Sequence, residues 1–214
     1  MSGNWIKMRL ASLGFCLWLV ALAVVVTIYL AWLVYPIEIG ALHIRDSVAL
    51  STTSIRENFN QLLSYLTNPV VAILEMEDFP SSESGLKHFA DVKALFMIAQ
   101  GVFLALAIPS FYFLKKEITA ARLALYLPLW RLMALIPLGL ALVAFVIGFD
   151  QFFTLFHQIF FLGDDSWLFN PLTDPVIYIL PESFFMHCFI LFLFCYELCF
   201  LSLWLCSYRK IHNT

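Results

Sequence analysis

Apolar residues in this chain gather in long unbroken runs rather than in the alternation of a half-buried strand or the stripe of a soluble helix. Four runs carry few or no charges: 10–34, 94–114, 132–149 and 184–205. About 20 helical residues cross a hydrocarbon layer about 30 Å thick, so each run can span a membrane. The pattern predicts an all-α membrane protein with four transmembrane helices. The first run has 25 residues, longer than the ~7–15-residue apolar core of a cleaved signal peptide, and is predicted to be a retained span.

Between the runs the pattern changes. Ile55, Phe59, Leu62, Leu63 and Leu66 recur at helical spacing. Ser54-x-x-Glu57 fits a capping box ahead of that stripe, and Asn68-Pro69 a stop behind it. This predicts an amphipathic helix that lies on the membrane or caps the bundle. Val70–Leu74 (VVAIL) fits a short strand. The stretch ITAARLALYLPLWR, interrupted by two arginines and Pro128, is predicted to lie in the inner interface, with Arg131 reaching water. After Gly148 the chain reads FDQFFTLFHQIFF, predicted to extend the third helix with Asp150, Gln151, Thr154, His157 and Gln158 as a polar stripe among phenylalanines. Gly163-Asp164-Asp165 reads as a turn and Trp167 as an interface anchor. Thr173-Asp174-Pro175 signals a short helix, and VIYIL before Pro181 is predicted to be a shallow re-entrant element. The whole reads as one membrane domain over 1–214, with outer segments 35–93 and 150–183 forming a cap.

Composition agrees: 62% of the 214 residues are hydrophobic, only 13% are charged, and 22 are Phe, which excludes an ordinary soluble domain. Charge then orients the chain. Lys7, Arg9, Lys115, Lys116, Arg122, Arg131, Arg209 and Lys210 fall on one side of the four runs, which should be the cytoplasm, with both termini inside. The opposite segments hold Arg45, Arg56, Lys87 and Lys93 against thirteen acidic residues. So acidic a face argues against nucleic acid and suits a cation such as a protonated amine. Cys16, Cys188, Cys195, Cys199 and Cys206 all lie in or at the ends of the spans, so no disulfide framework is implied; Cys195 and Cys199 share a helical face as packing residues.

The outer level collects the titratable groups. His88 and Asp91 stand at the start of the second run, three apart on one helical face, where the carboxylate could fix the imidazole tautomer; they also fit a plain polar helix start. Asp150 and His157 follow the third run, and Glu182 and His187 open the fourth. Imidazoles with pKa near 6.5 suit general acid and base work. No G-x-S-x-G elbow and no outer cysteine nominates a covalent nucleophile. A zinc site from His88, Asp91, His157 and Asp174 or Glu182 is the competing reading, although H-x-x-D is not a zinc-peptidase spacing. Glu197, deep in the fourth run, should face the bundle, paired with Arg131, protonated, or in a structural polar contact.

The segments SESGLKHFADVKALF, FDQFFTLFHQIFF and DDSWLFNPLTDPVIYILPESFF, in this order on a four-span frame, resemble the lipoprotein intramolecular transacylase (Lit) family of low-GC Gram-positive bacteria. The resemblance covers roughly 1–210. It implies a multi-pass protein of the cell membrane whose extracytoplasmic site moves the sn-2 acyl chain of a diacylglyceryl-modified lipoprotein to the free α-amine of its N-terminal cysteine. The amine is then the nucleophile, so neither cofactor nor covalent enzyme intermediate is expected. On this reading His88, oriented by Asp91, and His157 share the proton transfers. Asp150, Asp174, Glu182 and Trp167 support the site or bind substrate, and membrane lipids are the other partners. The alternatives are a metal-dependent membrane hydrolase and a non-enzymatic scaffold or transporter subunit.

Overall fold

The structure, a computed structural model, describes residues 2–212. Six α-helices follow one another: α1 Ser2–Ala41, α2 Thr52–Thr67, α3 Glu83–Thr119, α4 Leu127–Ile147, α5 Phe149–Phe160 and α6 Glu182–His212. No strand occurs among the described residues. α1, α3, α4 and α6 are long and apolar enough to cross a membrane. At 1.5 Å per residue α1 runs about 60 Å, roughly twice the hydrocarbon thickness, so the longest helices outrun the spans they contain.

The chain divides into two compact units. The first comprises residues through Thr27, Ala99–Val146 and Ile190 onward. Its core is aromatic: fully buried Trp130 meets Phe15 edge-on at 5.9 Å between ring centres, and Phe15 meets Phe113 at 5.2 Å. Polar ends of large side chains find helix carbonyls, as Trp18 Nε1–H does at Phe103 (3.1 Å) and Tyr196 O–H at Met133 (3.0 Å). Leu104 and Phe145, 70% and 85% exposed, would be costly in water and belong in lipid. The stretch ahead of α4 is not an interfacial α-helix. Ala121 takes a positive φ of 54°, a 3₁₀ turn follows at Leu123–Tyr126, and Pro128 falls in the first turn of α4, where its missing N–H is harmless. Glu117 instead clamps Arg122 through two hydrogen bonds of 2.9 Å. Glu197 is buried without a hydrogen-bond partner at either oxygen, so its expected pairing with exposed Arg131 is not made.

The second unit comprises Ile28–Ile98 and Ile147–Phe189. The stripe on α2 is its core: Ile55, Phe59, Leu62, Leu63 and Leu66 are all buried. Tyr35 stacks on Phe59 at 3.5 Å, Phe184 closes edge-on against both, and Tyr35 O–H donates to the Ile179 carbonyl at 2.7 Å. The α2 N-cap is Ser51, one turn ahead of the predicted box, whose Oγ accepts from Ser54 N–H at 3.0 Å. Val70–Leu74 has no strand partner; it is fastened by buried Leu74 and Phe79, and by Lys93, which donates to the Val71 carbonyl. VIYIL turns inward as a 3₁₀ segment at Pro175–Tyr178, with Val176 and Ile179 fully buried. α5 does not continue α4. Gly148 breaks the chain at φ 87°, in the left-handed region that glycine adopts without a Cβ penalty.

Candidate active site

Two helices of the second unit deliver the site. α3 starts at the serine-rich turn: Ser82 Oγ accepts from Gly85 N–H (3.0 Å) and the Ser82 carbonyl from Leu86 N–H (2.9 Å). His88 follows one turn later and is 93% buried, with its Nδ1 unpartnered. In α5 the one buried residue is His157, while Phe149, Phe152, Phe153 and Phe156 are half-buried and Phe160 is exposed. Asp150, Gln151 and Gln158 remain exposed, so most of that stripe is a solvated face.

The two imidazoles lie 5.8 Å apart between ring centres, tilted by 34°. Phe161 touches both, at 4.8 Å from His88 and 5.7 Å from His157. Phe169 closes the far side of His88 at 5.5 Å, and Trp167 stacks on His157 at 4.8 Å and 28°. His157 Nδ1 sits 2.8 Å from the carbonyl of Phe153, one helical turn back. A carbonyl only accepts, so Nδ1 carries the proton and Nε2 keeps its lone pair. Burial pulls this imidazole below its usual pKa, partly opposed by the Phe153 carbonyl, so it is neutral near pH 7. Neither histidine hydrogen-bonds a hydroxyl or a thiol among the described residues.

The carboxylates fall differently from the sequence expectation. Asp91 is half-buried and makes no hydrogen bond to His88; spacing permits the pair, but its charge acts on Lys87 instead. The carboxylate whose charge reaches His88 is Asp164. Gly163, at φ 73°, turns the chain after α5 so that Asp164 pairs with Lys87 and accepts from Ser166 N–H at 3.0 Å. The Lys87 ammonium, helped by that N–H, holds Asp164 down at about 2. Asp174, 98% buried, braces the head of α3: Oδ1 accepts from Ser82 N–H (2.8 Å) and Oδ2 from Thr173 O–H (2.7 Å). Asp150 and Glu182 are exposed in the first turns of α5 and α6, where the helix dipole favours negative charge, and neither is brought to the imidazoles. His187 is also apart, bonded through Nδ1 to Glu38 at 2.8 Å. Among the described residues no three His, Cys, Asp or Glu side chains gather as a metal-ligand set.

Sequence reasoning missed Asp164 and the Phe161–Phe169 cage. Asp164 did carry a signal, as the acid of a Gly-Asp-Asp turn just after the histidine helix.

Four helices long and apolar enough to cross a membrane, with two imidazoles held in an aromatic cage, place the chain in the class of helical integral membrane proteins. A model of the lipoprotein intramolecular transacylase Lit family matches residues 9–185, and the chain belongs to that family. Its fold is similar to the membrane integral Lit of Bacillus cereus, with TM-score 0.84 and 26% identity over 99% of this chain and 98% of that one. It is also similar to a variant of that protein with a histidine replaced by alanine, with TM-score 0.78 and 26% identity over 98% and 94%. No curated protein sequence matches the chain.

Proposed function

We propose that this Lit-family transacylase moves the sn-2 acyl chain of a diacylglyceryl-cysteine to the α-amine of the same cysteine, at the extracytoplasmic face of the cell membrane. The single observation that carries the reading is a pair of imidazoles 5.8 Å apart, neither bonded to a hydroxyl or thiol. Such a site can move protons but holds no activated nucleophile, so the nucleophile comes with the substrate.

The steps balance on the two rings. The amine lone pair attacks the ester carbon, forming the C–N bond and an oxyanion. His157 Nε2 takes the amine proton. The bond from carbon to the glycerol oxygen then breaks, and His157 returns that proton to the departing oxygen. His88 donates an N–H to the oxyanion. Amine and ester belong to one molecule, so orientation can supply several kcal/mol of the ~7–11 kcal/mol available from effective concentration. The charge asymmetry of the chain supports the extracytoplasmic assignment.

Acyl transfer within one lipopeptide is an isomerisation, so intact mass cannot report it. The test is to express the protein in a bacterium lacking this activity, treat its lipoproteins with an amine-reactive label, and fragment the N-terminal peptide. The expected result is a blocked amine and an N-acyl fragment; a labelled amine beside an intact diacylglyceryl group overturns the proposal.

A further inference from the structure

The Lys87–Asp164 pair has no part in the proton transfers, yet it borders them. Lys87 directly precedes His88 and is 59% exposed at its side chain, whereas Asp164 is only 22% exposed. One Asp164 oxygen is fixed by Ser166 N–H and the other meets the Lys87 ammonium. The anchored partner is therefore the anion, and the partner free to leave is the cation. On the residue next to Lys87, His88 Nδ1 is buried without a hydrogen-bond partner. Buried polar atoms left unpaired are costly, and a polar ligand in contact with them would offset that cost. One anchored carboxylate beside an orphaned imidazole nitrogen is a receptor for an ammonium group attached to something that also carries hydrogen-bonding groups.

We infer that Asp164 is the amine-recognition residue of this site, and that Lys87 occupies it in the resting enzyme as an internal surrogate for the substrate's ammonium. The inference rests on the transacylase reading, which supplies the ammonium. Binding exchanges one N⁺–H···O⁻ contact for another, so the carboxylate is never left unpaired, and the docked ammonium gives one proton to water to free the lone pair that attacks the ester. An amine already acylated has no charge with which to displace Lys87, and the product is released as Lys87 returns.

The test uses purified full-length protein and a synthetic diacylglyceryl-cysteine lipopeptide, with free amine or N-acetylated. Lys87→Gln removes the competitor and should lower KM for the free amine about three- to tenfold; Asp164→Asn removes the receptor and should raise it about tenfold. In a His157→Ala background, which binds without turnover, Asp164→Asn should weaken the free-amine lipopeptide and leave the N-acetylated one unchanged. An ion pair with only a structural role predicts KM shifts in the same direction for both substitutions, or equal losses for both lipopeptides, and either result overturns the inference. Wild-type protein that isomerises no lipopeptide would instead refute the transacylase reading, and the binding comparison would still report on Asp164.

Discussion

Gly85→Ala adds a single methyl group to the first turn of α3, on the face that carries His88 one turn later. That Cβ would stand 2.2 Å from Asp174 Oδ1, 3.1 Å from Asp174 Cγ and 3.5 Å from Phe169 Cε1. A short polar side chain could swing aside cheaply if it were free, but Asp174 is 98% buried and both oxygens are engaged. Retreat by about 1 Å breaks the bond to Ser82 N–H, leaving a buried carboxylate and the amide just ahead of α3 short of a partner. Breaking one charge-assisted hydrogen bond in a buried setting costs about 1.5–3 kcal/mol. If instead α3 moves, His88 moves with it, and the imidazole pair loses its spacing. Either way Gly85→Ala should lower lipopeptide isomerisation by about tenfold or more and reduce the thermal stability of the detergent-solubilised protein. The double variant Gly85→Ala/Asp174→Ala removes the collision, so the methyl group should be much less harmful in that background. The measurement is a double-mutant cycle in stability and rate. Additive losses, or a Gly85→Ala protein as active and stable as wild type, would refute the reasoning.

Other substitutions separate the roles of the two rings. His157→Ala should lower isomerisation about 10²–10⁴-fold, the range of general acid–base catalysis, and His88→Ala about 10²–10³-fold, the range for one oxyanion donor; labelled-lipopeptide assays on folded protein check both. His157 must be neutral to accept a proton, and its folded pKa lies below 6.5. The rate limb due to it therefore falls only as the pH drops below 6.5, while the rise above pH 7 belongs to the substrate amine at ~7.7–8.0. Trp167→Ala should wet the ring and move that acid limb upward, towards 6.5; a pH–rate profile with an unmoved limb would show that Trp167 contributes no desolvation. Gly148→Ala forces an L-residue to φ 87° and ψ 149° and should lower stability by about 1–3 kcal/mol, read from thermal unfolding.

The spans were legible because lipid demands long apolar runs, and α2 was legible because one stripe had to be buried. The histidines could be found in the sequence as titratable groups at the edges of those runs. Their pairing came from the outer level they share and from the family resemblance, since no local period encodes a contact that joins residues 88 and 157 through Phe161. Local spacing misled at Asp91, which shares a helical face with His88 yet acts on Lys87. At Asp174 the signal for a short helix holds, since a 3₁₀ segment starts at Pro175, but the carboxylate itself serves the start of α3, 92 residues earlier in the chain. The break at Gly148 shows the same limit, since the apolar pattern runs on through a residue where the backbone turns.

The bond from His157 to Phe153 has a consequence for how such a base is encoded. Many catalytic imidazoles borrow a carboxylate from elsewhere in the fold, so their chemistry depends on a distant residue staying in place. Here the instruction is written within a single turn of a twelve-residue helix. Any sequence that still coils at this point points the lone pair the same way. Loops around it are then free to diverge with the lipoproteins they meet, while the Nε2 lone pair stays put, which makes α5, on the proposed mechanism, a portable cassette for base catalysis.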